Sequence, residues 1–286
     1  MAKRQFGIST HLYHGQRLCR DHLLEIAAHG FDCVEIYATR THFDYHNPSA
    51  VADLQGWLAD AGLELRSVHA PTAEAFTGGR WSGSLSLAST DPGARAHAVS
   101  ETEKALHVAR RLPVPVLVAH LGVARSGAGF QSGPGIAADS RAAAKRSVEH
   151  LLRIAEPLGV HIAVEVIPNE LSRAGSIVHF VEQDLEGVGI CLDFGHAHLD
   201  GDVIDAVETV SEHLIATHLH DNRGRKDDHL LPFDGTIDWA GTLLAVQKVG
   251  YEGPFMFEIV PNGSTRETLA RAQVTRQRIE AIMAEG

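Results

Sequence analysis

Three acidic residues stand inside runs of apolar residues, where an ionised carboxylate is costly unless it is paired or coordinated. They are Glu165 in Ile-Ala-Val-Glu-Val-Ile, Asp193 in Gly-Ile-Cys-Leu-Asp-Phe and Glu258 in Phe-Met-Phe-Glu-Ile-Val. A divalent cation bound by all three, with His218 as the nitrogen donor, would compensate their charges together. The alternative is an ionic network with a purely structural role. We favour the cation, which would be Mn, Zn, Co or Mg.

Further potential ligands stand at or near the ends of other apolar runs. A single histidine at such a position is usually a structural residue, so each one alone is weak evidence. Together they would surround the carboxylates if the ends of the runs converge. We therefore predict that five more residues bind the substrate or additional metal ions: His69, His120, His196, Asp227 and His229.

The elements that would position these residues follow from a pattern that the chain repeats eight times. A short apolar run is followed by a polar or glycine-rich loop and then by a longer stretch with helical periodicity. The predicted strands lie at residues 6–9, 33–36, 64–69, 114–120, 161–167, 188–193, 214–218 and 255–259. Units of roughly 35 residues favour one α/β domain over residues 1–286, a single (β/α)8 TIM barrel. In that fold the carboxyl ends of the strands meet at one face, where most candidate ligands stand.

Two of the helices have clear boundaries in the sequence. One covers residues 49–62, and another begins at residue 139 or 140 and ends at Gly159. A doubly wound open sheet is the alternative fold. It usually has a glycine-rich dinucleotide turn after its first strand, and residues 9–16 contain only one glycine.

Two loops after predicted strands also need an interpretation. Residues 122–135 are rich in Gly and Ser but lack the GK[ST] ending of a P-loop, so we interpret them as a long loop between a strand and its helix. Phe76 and Trp81 follow the third strand, and we interpret them as core or lid residues rather than a surface for a sugar ring.

The composition favours a globular protein that acts on small molecules. The formal net charge of −11 disfavours nucleic acid as a partner, because proteins that bind it usually present a basic face to the phosphates. Three cysteines without CxxC spacing suit the reducing cytoplasm. Because no apolar stretch has the length of a signal sequence or of a span, we expect neither export nor a membrane segment. A homo-oligomer is compatible with this composition.

The segment from His218 to Trp239 resembles the seventh-strand segment of many sugar isomerases and epimerases. It contains His-Leu-His-Asp-Asn from His218 and Asp-Asp-His-Leu-Leu-Pro-Phe-Asp-Gly-Thr-Ile-Asp-Trp from Asp227. Over nearly its whole length the chain is similar to the xylose-isomerase-like TIM-barrel superfamily. That superfamily includes tagatose and psicose 3-epimerases, inosose dehydratase and endonuclease IV. The residues that match the four-ligand metal site of the epimerases are Glu165, Asp193, His218 and Glu258.

The resemblance implies a metal-dependent isomerase or epimerase that acts on a small-molecule carbohydrate, a keto-sugar or related polyol, through an enediolate. By the same resemblance, Glu165 and Glu258 would be both metal ligands and the acid/base pair. Glu170 and Arg223 lie near the positions where epimerases have a substrate-binding Glu and Arg, although the spacing differs.

Two other functions stay open at this point. The three-zinc site of endonuclease IV has nine ligands, and this chain has a residue for each: His69, His120, Glu165, Asp193, His196, His218, Asp227, His229 and Glu258. Such a trinuclear zinc phosphodiesterase would attack a phosphodiester in line. The negative charge, and the absence from the sequence of a loop that combines basic residues with an intercalating aromatic, argue against a nuclease. A dehydratase or lyase acting on an inosose or keto-sugar would share the first proton abstraction.

Overall fold

The computed structural model describes residues 4–123 and 134–285. The strands in these ranges are β1 (Phe6–Ser9), β2 (Cys33–Tyr37), β3 (Glu64–His69), β4 (Ala73–Thr77), β5 (Arg80–Ser84), β6 (Val116–Ala119), β7 (His161–Glu165), β8 (Gly189–Asp193), β9 (Leu214–Leu219) and β10 (Phe255–Phe257). The helices are α1 (Arg20–Ala28), α2 (Pro48–Ala61), α3 (Pro92–Leu106), α4 (Pro134–Ala155), α5 (Ala174–Asp184), α6 (Phe194–Asp200), α7 (Val203–Val210), α8 (Trp239–Lys248) and α9 (Thr265–Glu285).

Eight of these strands close into a parallel barrel in the order β1, β10, β9, β8, β7, β6, β3 and β2. The predicted (β/α)8 barrel is confirmed. Every residue of β1, β2 and β8 is buried, as expected for parallel strands that are covered on both faces. Across the described ranges, no helix has both the length and the apolar character that a membrane span requires.

Several boundaries differ from the predicted ones. β6 begins at Val116 rather than at residue 114, because Pro115 lacks the N–H group that a strand ladder requires. β7 ends at Glu165, and β10 ends one residue before Glu258, so both strands stop where the polar site begins. The predicted helix at residues 49–62 matches α2, which Gly62 ends in the left-handed conformation with φ of 65°.

The region between β6 and β7 contains two further differences. α4 begins at Pro134 rather than at residue 139 or 140, because proline suits the first turn of a helix. It ends at Ala155 rather than at Gly159, and a 3₁₀ turn, Glu156–Leu158, separates it from Gly159, which ends that turn. Of the predicted loop at residues 122–135, residues 124–133 lie outside the described part of the chain. The antiparallel hairpin of β4 and β5 was not predicted.

A layer of small apolar side chains fills the barrel just below the strand ends. Val118, Ala163 and Cys191 are fully buried and pack together, with Ala216 against them. Side chains alternate along a strand, so the residue two positions further along points to the same side. The residues two positions further along are His120, Glu165, Asp193 and His218. The apolar layer is therefore the floor on which the polar residues stand.

Candidate metal centre

Four predicted metal ligands lie together at the carboxyl ends of four neighbouring barrel strands. Glu165 and Asp193 are the last residues of β7 and β8, His218 is one residue from the end of β9, and Glu258 follows β10. One ligand atom of each residue lies within 4.8 Å of those of the other three. None of the four is more than 3% exposed. We call these residues the four-residue set.

The donor atoms of the four-residue set have the spacing of ligands around one cation. His218 Nδ1 lies 3.4 Å from Glu165 Oε1, 3.5 Å from Glu258 Oε2 and 3.9 Å from Asp193 Oδ2. Ligands held at 2.0 to 2.1 Å from a tetrahedral zinc ion are about 3.4 Å apart. Glu165 Oε1, Asp193 Oδ2 and His218 Nδ1 are buried without a hydrogen-bond partner. Because buried polar atoms are rarely left unpaired, these residues fit a divalent cation.

A second set of potential ligands uses the other oxygen of Glu165. The Nε2 atoms of His69 and His120 lie 3.2 and 3.1 Å from Glu165 Oε2. Both rings stand at the ends of neighbouring strands, β3 and β6, which explains why residues so distant in sequence meet here. Glu165 Oε2 therefore faces His69 and His120, whereas Glu165 Oε1 faces His218 and His196.

A third set lies on the solvent side of the four-residue set. Its potential ligands are His196, His220, Asp227 and His229. The Nε2 atoms of His196 and His229 lie 3.1 and 3.2 Å from Asp227 Oδ2. The ring of His220 stacks on that of His229 at 4.0 Å, and His220 Nε2 lies 2.9 Å from Asp193 Oδ1. The structure thus brings the five further predicted residues into two sets around the first.

The loop that carries Asp227 and His229 is arranged by Asp221, a fully buried residue. Its carboxylate accepts hydrogen bonds from the backbone N–H of Phe233 and from the indole N–H of Trp239, at 3.1 and 2.8 Å. His229 has a positive φ of 45°, and its Nδ1 donates to the carbonyl of Glu258 at 2.8 Å. That bond leaves His229 Nε2 to face Asp227.

Sequence reasoning missed two buried site residues, Glu35 and His220. Glu35 stands in the apolar run Cys-Val-Glu-Ile-Tyr, the same signal that identified Glu165, and its Oε2 lies 3.0 Å from His218 Nε2. His220 follows His218 by two residues, and the alternation of side chains along a strand could have placed it on the same side.

Burial and charge act in opposite directions on these groups. Burial alone would raise the pKa of Glu165, but the charge of His120 and other imidazoles holds that pKa well below its usual range. Burial alone would lower the pKa of His69, but the hydrogen bond to Glu165 and the charges of Glu165, Glu258 and Glu35 together outweigh it and raise the pKa to about 9. Asp227 likewise raises the pKa of His229 to about 9. Without a cation, protonated imidazoles compensate the carboxylates.

The centre reaches solvent on the side of the third set. The side chains of Asp227 and His229 are 35% and 14% exposed, whereas that of Glu165 is fully buried. Trp81 lies in the hairpin of β4 and β5, is 42% exposed, and stacks on the ring of His14 at 5.2 Å. Phe76 and Trp81 are paired in a hairpin beside the barrel mouth, and the exposed Trp81 is not a core residue.

The two weaker substrate-binding candidates, Glu170 and Arg223, are not members of the three sets of potential ligands. Glu170 lines a surface pocket together with Arg141 and His179. Arg223 is exposed, and its guanidinium donates to the carbonyl of Asp234 at 3.5 Å. Their roles toward a substrate stay predictions.

The sequence matches a family model described as a xylose isomerase-like TIM barrel over residues 23–282. Protein MJ1311 of Methanocaldococcus jannaschii, itself uncharacterized, is 25% identical over 97% of this chain and 90% of its own length. The uncharacterized protein y4fM of Sinorhizobium fredii is 47% identical over 72 residues, which are 25% of this chain and 23% of that protein.

Solved structures share the architecture. A D-tagatose 3-epimerase-like protein is 24% identical with a TM-score of 0.81, and the match covers 98% of each chain. The IolI protein with a bound zinc atom is 18% identical with a TM-score of 0.75, again over 98% of each chain. At these identities the likeness establishes the common fold.

Proposed function

The chain belongs to the xylose isomerase-like TIM barrel family, and on that premise we propose that it is a divalent-metal-dependent isomerase or epimerase of keto-sugars or related polyols. The observation that carries the proposal is the four-residue set, in which three buried donor atoms without partners converge on one point. The sugar epimerase fold of the D-tagatose 3-epimerase-like protein and the zinc atom of the IolI protein support it.

The four-residue set would hold the cation. Its donors, three carboxylates and one imidazole, suit Mn, Zn, Co or Mg. When bound, the cation polarises the substrate carbonyl and stabilises the negative charge that develops on its oxygen. The residues themselves supply a set of buried donor atoms, an opening beside Asp227, and two carboxylates at different strand ends.

Glu165 and Glu258 are the acid/base pair of this proposal. One carboxylate accepts the proton from the carbon next to the carbonyl. The electron pair of the broken C–H bond forms the C–C double bond of the enediolate, and the π pair of the carbonyl moves onto its oxygen. The other carboxyl group, which takes up a proton from solvent, then returns that proton either to the opposite face of the same carbon or to the former carbonyl carbon. In the second case the hydroxyl proton of the substrate moves to the former carbonyl oxygen. The first outcome inverts the configuration at that carbon, and the second moves the carbonyl to the neighbouring carbon.

Solvent exchange tests the proposal. Metal-loaded protein in D₂O is incubated with a panel of ketoses, inososes and keto-glycosides, and deuterium at the carbon next to the carbonyl is followed by NMR. Glu258→Gln should slow exchange by about 10² to 10⁴-fold, because a carboxamide does not accept the proton. Glu156→Gln, an exposed substitution, is the matched control and should exchange like the wild type.

Two results would contradict the proposal at different levels. Full exchange by Glu258→Gln with the metal still bound would contradict the acid/base role. No exchange with any substrate and any of the four metals would contradict the sugar chemistry. Exchange accompanied by loss of a β-hydroxyl would identify a dehydratase or lyase, which uses the same first step.

One observation favours a second candidate, a trinuclear zinc phosphodiesterase. The first two sets of potential ligands share Glu165, and His220 of the third set lies 2.9 Å from Asp193 of the first, so the three sets adjoin as three neighbouring metal ions would require. Metal analysis after dialysis separates the candidates, because the epimerase type predicts about one ion per chain and the phosphodiesterase predicts three. Three zinc ions together with cleavage of abasic DNA would replace the first proposal by the second.

A further inference from the structure

Glu35 is a fully buried carboxylate beside the metal centre that lies outside the four-residue set. Its Oε2 accepts a hydrogen bond from His218 Nε2 at 3.0 Å and another from Ser67 Oγ at 2.8 Å. Its Oε1 accepts from Ser9 Oγ at 3.0 Å. Every oxygen of this carboxylate is thus satisfied by a donor, and one of the donors is the only imidazole of the four-residue set.

The barrel register produces this arrangement. Glu35 pairs with Ser9 of β1 on one side and with Ser67 of β3 on the other. The pairing of β2 with β3 is irregular between Val34 and Glu35, so that Leu65 and Ser67 are opposite consecutive residues of β2. Such irregularities redirect side chains. Here the irregularity places Ser67 and its hydroxyl, rather than Arg66, opposite Glu35.

The bond to Glu35 decides which nitrogen of His218 faces the centre. A neutral imidazole has one N–H donor and one lone-pair acceptor. With Nε2–H donated to Glu35, the lone pair is on Nδ1, the atom that lies among Glu165, Asp193 and Glu258 without a hydrogen-bond partner. A carboxylate on the far nitrogen also makes the near nitrogen more basic.

Packing alone does not explain this carboxylate. An apolar side chain in β2 would avoid the cost of burying a charge. A cavity of about 40 Å³ also lies against Glu35, Ser67 and His218, so the ring of His218 has space beside it. We propose that Glu35, held by Ser9 and Ser67, is a positioning residue that keeps the ring of His218 in the orientation and tautomer that a cation requires. This inference rests on the metal site of the proposed function and is independent of its sugar chemistry.

Cobalt titration of the metal-stripped full-length protein tests the role. Co²⁺ binding is followed through its visible absorption bands, and the step that disappears in His218→Ala identifies the four-residue set. Glu35→Gln keeps the size of the side chain and removes its charge. It should weaken this step by about 10 to 100-fold and change the absorption bands. In the His218→Ala background, Glu35→Gln should leave the remaining Co²⁺-binding steps unchanged, because its partner in the four-residue set is gone.

Glu101→Gln is the matched control. Glu101 is also a buried carboxylate with several hydrogen-bond donors, but its partners are Tyr45, His46 and Lys104. It should bind Co²⁺ like the wild type. Wild-type affinity and spectrum in Glu35→Gln would overturn the inference. Failure of the wild type itself to bind Co²⁺ would instead overturn the metal site of the proposed function.

If Glu35→Gln does not fold, as judged by circular dichroism, Ser67→Ala takes its place. This variant leaves the carboxylate and removes one of its donors. A several-fold loss of Co²⁺ affinity is expected, and an unchanged affinity and spectrum would overturn the inference.

Discussion

Asp193 has two tasks, one for each oxygen. Its Oδ1 accepts a hydrogen bond from the backbone N–H of His196 at 2.7 Å and so caps the first turn of α6. Its Oδ2 is left without a hydrogen-bond partner toward the other donors of the four-residue set. The start of a helix thus orients a predicted metal ligand, and we expect a change in that turn to alter the candidate metal centre.

Gly195→Ala tests this connection. A Cβ atom at Gly195 would lie 2.0 Å from Cε1 of His220, whose ring stacks on His229 and approaches Asp193. The ring must move, so we expect a loss of about 1 to 3 kcal/mol in the free energy of unfolding, together with weaker metal binding. Urea unfolding and metal titration measure the two effects.

The control for this variant is Gly56→Ala. Gly56 is an exposed residue within α2, and a Cβ atom there would meet nothing within 4 Å. Replacing a helical glycine by alanine should stabilise the protein by about 0.5 to 1 kcal/mol. A Gly195→Ala variant that is as stable as Gly56→Ala and binds metal normally would show that the contact with His220 has no consequence.

At the scale of elements, the strands that could be predicted were those with a strong apolar signal. Runs buried on both faces, such as β8, were recognised because every position is apolar up to the final carboxylate. The hairpin of β4 and β5 was missed because its second strand, Arg80–Ser84, is exposed throughout and has no apolar run.

The site followed the same rule. A carboxylate in an apolar run is visible in a sequence, which is why Glu165 could be found. The partners of Glu35 were hidden, because they depend on the register of β2 against β1 and β3 and on one irregularity in the pairing of β2 with β3. The predicted barrel gives the strand order, whereas the register between neighbouring strands does not follow from the sequence.

The loop before α2 is joined to α3 through one buried carboxylate. Glu101 accepts hydrogen bonds from Tyr45 at 2.8 Å, His46 at 2.7 Å and Lys104 at 2.7 Å. Burial alone would raise the pKa of Glu101, but the bonds from Lys104, Tyr45 and His46 outweigh it and lower the pKa to about 2. This carboxylate should therefore stabilise the fold wherever it is ionised.

We expect Glu101→Gln to lose about 1 to 3 kcal/mol in the free energy of unfolding at pH 7. Because the pKa is lower in the folded chain than its ordinary value of 4.5, the stabilising effect is present above pH 4.5 and is lost as the pH falls toward 2. Urea unfolding of both proteins across this range measures it. A difference between wild type and variant that stays constant from pH 7 to pH 3 would contradict the assigned cause.

At the scale of the whole molecule, the barrel mouth concentrates charges that depend on what occupies the centre. In the metal-free protein, the pKa values of His69 and His229 are raised to about 9 by neighbouring carboxylates. These histidines are therefore protonated at neutral pH and act as the counter-charges. A bound cation replaces them in that role and requires its imidazole ligands to be deprotonated.

Metal-free and metal-loaded protein should consequently respond to alkaline pH in opposite ways. The pKa values of His69 and His229 are higher in the folded chain than their ordinary value of 6.5, so the stability that they contribute is complete below pH 6.5 and is lost as the pH rises through about 9. Metal binding releases protons, so it becomes stronger over the same range.

We therefore expect the melting temperature of the metal-free protein to fall between pH 6.5 and 9. The increase in melting temperature that added Mn²⁺ or Zn²⁺ causes should grow over the same range. Calorimetry in chelator and in excess metal measures both. If the increase were the same at every pH, protons and the cation would not compete for these carboxylates, and the histidines would be structural partners only.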